Sequence, residues 1–169
     1  MDVGNEFGLV GTYLPQHIIA IRLVMAGFFG AMIGFEREMH AGGAGLRTHI
    51  LIAVASALFT ILAFEIFHTL EGSQRPADPI RAVEAVTAGI AFLGAGAIFR
   101  SDGNVQGLTT GAGMWLAGAV GIATALGYYV VAFGVALFAV LVLAALRVWA
   151  HGVIARQDET LPKGRRGEK

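Results

Sequence analysis

The stretch Gly34-Phe35-Glu36-Arg37-Glu38-Met39-His40-Ala41-Gly42-Gly43-Ala44-Gly45-Leu46-Arg47-Thr48-His49 decides how the rest of the chain is read. It sets two acidic, two basic and two histidine side chains, with four glycines, between two long apolar runs. Charge at that density is too costly to leave in hydrocarbon, so the stretch is an exit from a membrane and a return to it. Glycine supplies the turn, because it enters left-handed backbone at no steric cost.

Working outward, five apolar runs appear: residues 18–35, 50–67, 82–99, 108–125 and 128–149. At 1.5 Å per residue each comes close to a hydrocarbon core of roughly 30 Å. The runs have almost no polar face, as helices in lipid require and soluble amphipathic helices do not. Composition agrees: of 169 residues 56% are hydrophobic and 14% charged, and mean hydropathy is +0.68. The expected fold is all-α, a polytopic membrane protein of about five transmembrane helices. Residues 1–150 form the membrane domain, and 151–169 a short, charged, disordered cytoplasmic tail. Net charge is zero, so nucleic acid is not an expected partner. No cysteine is present, which excludes disulfides, thiolate metal sites and cysteine nucleophiles. The first fifteen residues lack Lys and Arg, so a retained first run is expected rather than a cleaved signal peptide.

Flanking Lys and Arg set the orientation. With the N-terminus outside, Arg37, Arg47, Arg100, Arg147, Arg156, Lys163, Arg165, Arg166 and Lys169 fall inside, against Arg75 and Arg81 outside. Asp78-Pro79 predicts a helix start, with Asp78 as N-cap and Pro79 at the first helical position. Gly127 alone turns the chain between the last two runs, which makes them antiparallel neighbours. Gly45-Leu46-Arg47-Thr48 returns as Gly107-Leu108-Thr109-Thr110, and the same offset sets Gly27 on Gly89, Gly34 on Gly96 and Arg22 on Glu84. That pattern suggests a parallel repeat of two helical hairpins. Gly30, Gly34, Gly89, Gly94, Gly96, Gly107 and Gly111 are expected to let helix backbones approach closely. Gly94-Ala95-Gly96 lacks the third glycine and the strand of a dinucleotide loop.

Two sets of ionisable residues remain. At the outer ends of the runs, Arg22, Glu65, Arg81 and Glu84, with His68 beside them, lie at similar depth. Unpaired charge there costs several kcal/mol, so Arg22 is expected to pair with Glu84 or Glu65. The pair either fixes helix register or forms a vestibule attracting a cation or proton. The inner set is Glu36, Arg37, Glu38, His40, Arg47, Thr48, His49, Arg100, Asp102 and Thr109. Glu36 and Glu38 offer hard oxygen ligands to Mg²⁺, although alternating signs more often form mutual salt bridges. His40 and His49 lack the spacing of a helical zinc pair. Thr48, Thr109 and Thr110 are expected to cap inward-starting helices. No nucleophile–base–orienter set and no phosphate-cradling loop can be drawn, so neither catalysis nor a cofactor is expected.

Glu36-Arg37-Glu38, then Gly45-Leu46-Arg47-Thr48-His49, Asp78-Pro79 with Arg81, Gly89-Ile90-Ala91-Phe92-Leu93-Gly94-Ala95-Gly96-Ala97-Ile98, Gly107-Leu108-Thr109-Thr110 and Trp115 together resemble the MgtC/SapB/YhiD membrane-protein family. The resemblance covers roughly residues 18–129. It implies a multi-pass protein of the bacterial inner membrane, linked to growth in low magnesium and, in pathogens, to survival inside macrophages; the outside N-terminus read from the Lys and Arg flanks is then periplasmic. It implies regulation of other membrane machinery, such as ATP synthase or P-type transport ATPases, as partners beside the bilayer and a second copy of the chain. Longer members carry a soluble C-terminal domain resembling an ACT domain. The chain departs from the family at Ala91, Gly111 and Gly113. On this reading Glu36, Arg37, Arg47 and His49, completed by Arg100 and Thr109, shape a contact surface on the cytoplasmic side. The alternative is an ion conductor with a path between the hairpins, from Glu65 and Glu84 to Glu36.

Overall fold

The computed structural model describes residues 11–40, 43–70, 78–101 and 104–160. Among the described residues there are five helices: α1 (Gln16–His40), α2 (Leu46–Thr69), α3 (Pro79–Gly96), α4 (Leu108–Ala125) and α5 (Tyr129–Thr160). The all-helical expectation has one exception, a small antiparallel hairpin between α3 and α4. Its strands are β1 (Phe99–Ser101) and β2 (Asn104–Gln106), with Arg100 opposite Val105. The local sequence favours it, since Asp102-Gly103 is a dipeptide that two-residue hairpin turns prefer. The hairpin takes Phe99 out of the third run, and α3 stops at Gly96.

Three helical stretches, Gln16–Met39, Leu46–Thr69 and Leu108–Ala125, are long and apolar enough to cross a membrane, and Tyr129–Ala145 is a shorter apolar stretch. The third of the five expected spans falls short of that measure. It is built largely of alanine and glycine and carries Arg81 and Glu84 in its first two turns. At the other end, α5 continues as helix to Thr160, past residue 149. Between Trp149 and Pro162 only Gly152 disfavours helix, so the start of the expected tail is helical; residues 161–169 lie outside the described residues.

α4 packs on all four other helices; α2 packs on α1, α4 and α3, and α1 also packs on α5. Phe29, Ile33, Ile52, Met114 and Val120 fill the middle of the bundle, and Ala26, Ala57, Ile61 and Ala125 fill the outer end. In lipid, helices gain little hydrophobic energy from touching, so tight van der Waals contact must hold them. The glycines provide it. A Cβ on Gly30 would lie 2.7 Å from the His49 carbonyl oxygen, and one on Gly34 would lie 2.8 Å from the Leu46 Cα. From α4, a Cβ on Gly121 would overlap the carbonyl oxygen of Ala53, the same residue whose Cβ the Gly30 position meets. α1 and α4, which also touch each other, therefore both bring their backbones onto α2. Gly94 and Gly111 face each other where α3 crosses α4.

Other glycines depart from the packing expectation. A Cβ on Gly89 or Gly96 would meet nothing within 4 Å, because α3 leaves that side uncovered. Gly107 serves a turn as well as a close approach: it is the N-cap of α4, at φ +85°, and a Cβ there would overlap the Ala97 carbonyl oxygen. Gly45 and Gly107, matched by the internal repeat, both cap helices, yet Gly27 and Gly34 are packed while Gly89 and Gly96 are open. The likeness between the hairpins lies in element order and not in the contacts their glycines make.

Two expected helix ends are present in detail. The Asp78 carboxylate accepts from the Ile80 N–H at 2.9 Å with Pro79 in the first turn. At the end of α4, the Gly127 N–H donates to Thr124 O and the Tyr128 N–H to Ala123 O, at 3.0 and 2.9 Å. With Gly127 at φ +87°, this is a Schellman ending.

Candidate functional site

Polar residues collect at both ends of the bundle, and inner and outer keep the sense given above. At the inner end the polar stretch divides into three groups. Glu36 and Arg37 are each 7% exposed and His49 is 0% exposed, so these three belong to the interior. Arg37 Nη2 donates to Thr110 Oγ1 at 2.8 Å, tying the end of α1 to the first turn of α4. His49 is held from below by its own helix. Its Nδ1 lies 2.8 Å from the Gly45 carbonyl oxygen, an acceptor, which places the proton on Nδ1. Its ring is seated between the glycines of α1 and Gly113 of α4, whose Cβ would lie 3.0 Å from Nε2. A methyl group at Gly113 would press on the imidazole, so that glycine is the space the ring occupies.

Glu38 has a separate duty. Its Oε2 accepts from the Leu46 N–H at 2.9 Å and so caps α2 from the preceding helix. The carboxylate occupies the position that a Cβ on Gly45 would overlap. Arg47, Arg100 and Thr109 form an exposed rim, and Thr48 is half-buried. Asp102 and the His40 side chain lie outside the described residues. The structure thus brings Glu36, Arg37 and His49 into one buried end and leaves Arg47, Arg100 and Thr109 outside it.

The expected threonine caps are not made, because Gly45 and Gly107 hold the N-cap positions. Thr110 instead accepts from Arg37 Nη2, while Arg37 Nε is buried without a hydrogen-bond partner among the described residues. Sequence reading missed this partner, because nothing local in the sequence links α1 to α4. Among the described residues, no group of three or more His, Asp or Glu converges to hold a metal ion. Glu36 and Glu38 differ in burial and duty, which argues against their use as a pair of ligands.

At the outer end, Arg22 does not pair with Glu84 or Glu65. Its Nη1 donates to the carbonyl oxygen of Ala125, the last residue of α4. A helix C-terminus presents unsatisfied carbonyls and the negative end of the dipole, so it receives the cation that a carboxylate was expected to take. Glu84 and Arg81 are exposed on α3, which packs on α4 and α2 and is remote from Arg22 on α1. Glu65 meets the segment that leads into α1. Its Oε2 accepts from the Tyr13 N–H at 2.7 Å and its Oε1 from the Leu14 N–H at 2.9 Å. The Tyr13 ring stacks on His68 with centroids 3.6 Å apart and planes 13° off parallel. Beneath this strap lies a cavity of about 230 Å³ bordered by Tyr13, Arg22, Glu65, His68 and Leu126. A second cavity, about 460 Å³ and almost wholly apolar, opens between α2 and α3 beside Ala55, Phe59, Ala85 and Gly89.

Comparison with known proteins adds the following. The family model described as MgtC family matches residues 23–151. The chain is 41% identical over 110 residues to the protein named putative magnesium transporter YhiD of Escherichia coli (strain K12), covering 64% of this chain and 51% of that one. It is 37% identical over 132 residues to protein SapB of Bacillus subtilis (strain 168), covering 77% and 56% respectively. It is 39% identical over 136 residues to protein MgtC of Brucella abortus (strain 2308), covering 80% and 54%. The chain therefore spans about half the length of these relatives. No solved structure matches it.

Proposed function

We propose that this chain, which belongs to the MgtC family, serves adaptation to low magnesium in the bacterial inner membrane by contacting other membrane machinery rather than by conducting ions. What supports this reading is the packing of α2. Its backbone is approached closely by Gly30 and Gly34 of α1 and by Gly121 of α4, which leaves no width for a hydrated ion at those contacts. At the inner end the buried Arg37 ties α1 to α4 through Thr110, and His49 is held within α2 on the Gly45 carbonyl. Recognition then falls to what is exposed there. That is the rim of Arg47, Arg100 and Thr109, together with Phe99, Val105 and Leu108 on and beside the hairpin, which are 56%, 54% and 58% exposed. Apolar side chains beside arginines suit the surface of another integral membrane protein, such as ATP synthase or a transport ATPase.

The test is growth of a deletion strain in low magnesium, complemented by the chain or by Arg47→Ala/Arg100→Ala. Loss of complementation with normal membrane insertion is expected. Full complementation by the double variant refutes the contact surface. Ion conduction is the second reading. The buried hydroxyl residues Ser56, Thr60 and Thr124 on the α2 and α4 faces favour it, as does the name of the Escherichia coli relative. Thr60 and Thr124 each donate back to the carbonyl four residues earlier, a bond that helices in lipid commonly make for structural reasons. Mg²⁺ and proton flux in proteoliposomes separates the two. Flux above empty liposomes that is lost in Glu36→Gln, Glu65→Gln or Glu84→Gln establishes a conductor, and absence of flux from folded protein leaves the contact reading.

A further inference from the structure

The outer cavity holds two opposite charges that face the same space without touching. Arg22 spends Nη1 on Ala125 O, while its Nε is buried with no hydrogen-bond partner. Glu65 spends both oxygens on backbone N–H groups of the strap and makes no ion pair among the described residues. Both side chains are half-buried, and the buried Nε of Arg22 is costly to leave without an acceptor. Their simplest mutual remedy, a direct salt bridge, is not adopted. The guanidinium is held back on the end of α4, and the carboxylate is turned up toward residues 13 and 14.

We propose that this cavity is a binding site for a small zwitterion, its oxyanion held by Arg22 and its ammonium by Glu65, with residues 12–15 as the lid. Three features fit that chemistry. A guanidinium with donors to spare matches a carboxylate or phosphate, to which its fork geometry is suited. The Glu65 oxygens each accept one N–H and retain lone pairs for an ammonium. A volume of about 230 Å³ admits a ligand of a few heavy atoms, and Ile61, Phe64 and Leu126 give it apolar side walls. The lid closes on the ligand's own partner, since Glu65 anchors Tyr13 and Leu14 directly. Thr12 Oγ1 donates to Leu14 O at 2.5 Å, and Tyr13 lies flat on His68, so the strap is shaped before it meets the helix. Both a free solute and a phospholipid headgroup of the phosphoethanolamine kind carry this pairing of charges, at the depth where headgroups meet helix ends.

The experiment uses the full chain in nanodiscs of phosphatidylglycerol alone. Glycerophosphoethanolamine and glycine are titrated calorimetrically, with inorganic phosphate and ethylammonium as single-charge controls. Binding of a zwitterion at least tenfold tighter than either control is expected, as is its weakening by tenfold or more in Arg22→Gln and in Glu65→Gln. Leu126→Trp, which fills the cavity without touching a charge, should abolish binding and covers the case in which a charge variant fails to fold. Glycerophosphoethanolamine binding that disappears in phosphatidylethanolamine nanodiscs assigns the lipid headgroup as the source. Glycine binding that persists there assigns a free solute. Equal binding of the single-charge controls, or no binding of either zwitterion to folded wild-type protein, overturns the proposal and leaves the cavity to water.

Discussion

Gly107 and Gly127 have nearly the same backbone dihedral, at φ +85° and +87°, but differ in what an added methyl group would meet. Alanine at either position carries the left-handed penalty of about 1–2 kcal/mol. At Gly127 the new Cβ would lie 3.3 Å from Arg22 Nη2, the tip of a long side chain, and little more is lost. At Gly107 it would overlap the Ala97 carbonyl oxygen and lie 2.9 Å from its carbon and 3.2 Å from the Ile98 Cα. Those atoms are backbone at the capped end of α3, and they cannot rotate away. Forced overlap of this kind adds about 1–3 kcal/mol, for a total of roughly 2–5 kcal/mol. At about 2–4 °C per kcal/mol for a chain of this size, Gly107→Ala should lose roughly one and a half to four times the melting temperature that Gly127→Ala loses. Thermal unfolding in detergent, followed by tryptophan fluorescence, reads both. Equal shifts would mean that the α3–hairpin–α4 junction yields freely and that Gly107 is needed only for its dihedral.

Thr110→Ala strands the buried Arg37 guanidinium and should cost about 1.5–3 kcal/mol, whereas Thr109→Ala, on the exposed rim, should stay within about 0.5 kcal/mol; the same melts decide, and equal effects would contradict the Arg37–Thr110 tie. Glu38→Ala removes the cap on the Leu46 N–H and should cost about 1 kcal/mol, with faster amide exchange confined to the first turn of α2; unchanged exchange there would show that the cap is idle. The proposed orientation is tested in cells, since the chain has no cysteine of its own. Ser73→Cys should react with an impermeant thiol reagent from outside and Gly103→Cys only after the membrane is opened, and the reverse pattern would invert the topology.

Helix positions were legible because apolar runs, charged exits and Asp78-Pro79 are local signals, and the ends at Asp78 and Gly127 follow from residue chemistry alone. What sequence could not supply was the direction each polar side chain takes across the bundle. Arg22 illustrates this. A sequence displays carboxylates as the available counter-charges, but the carbonyls at every helix C-terminus have no letter of their own. Nor did Glu36-Arg37-Glu38 reveal that neighbours on one helix separate, with two turning inward and Glu38 turning onto the next helix. The glycines divide for a similar reason. Gly34 and Gly96 match in the repeat, yet α1 is covered by α2 along that face while α3 lies at the edge of the bundle.

The division between buried and exposed polar groups bears on how a signal can cross such a protein. With α2 in close contact with glycine backbones of both α1 and α4, a sliding or opening of the bundle must break several close contacts together, so graded widening is disfavoured. A change at the outer cavity has a shorter route. Arg22 is bonded to the last carbonyl of α4, and the first turn of the same helix holds Thr110, the partner of Arg37. α4 is thus tied at one end to the start of α1 and at the other to its finish, and small axial shifts of α4 against α1 would strain both bonds at once. If the proposed zwitterion draws Arg22 off Ala125 O, the Arg37–Thr110 bond is the inner contact that should respond. Amide exchange in the first turn of α4, measured with and without glycerophosphoethanolamine, should therefore change in the wild type and not in Thr110→Ala. An unchanged pattern in the wild type, despite measured binding, would confine the ligand's effect to the outer end.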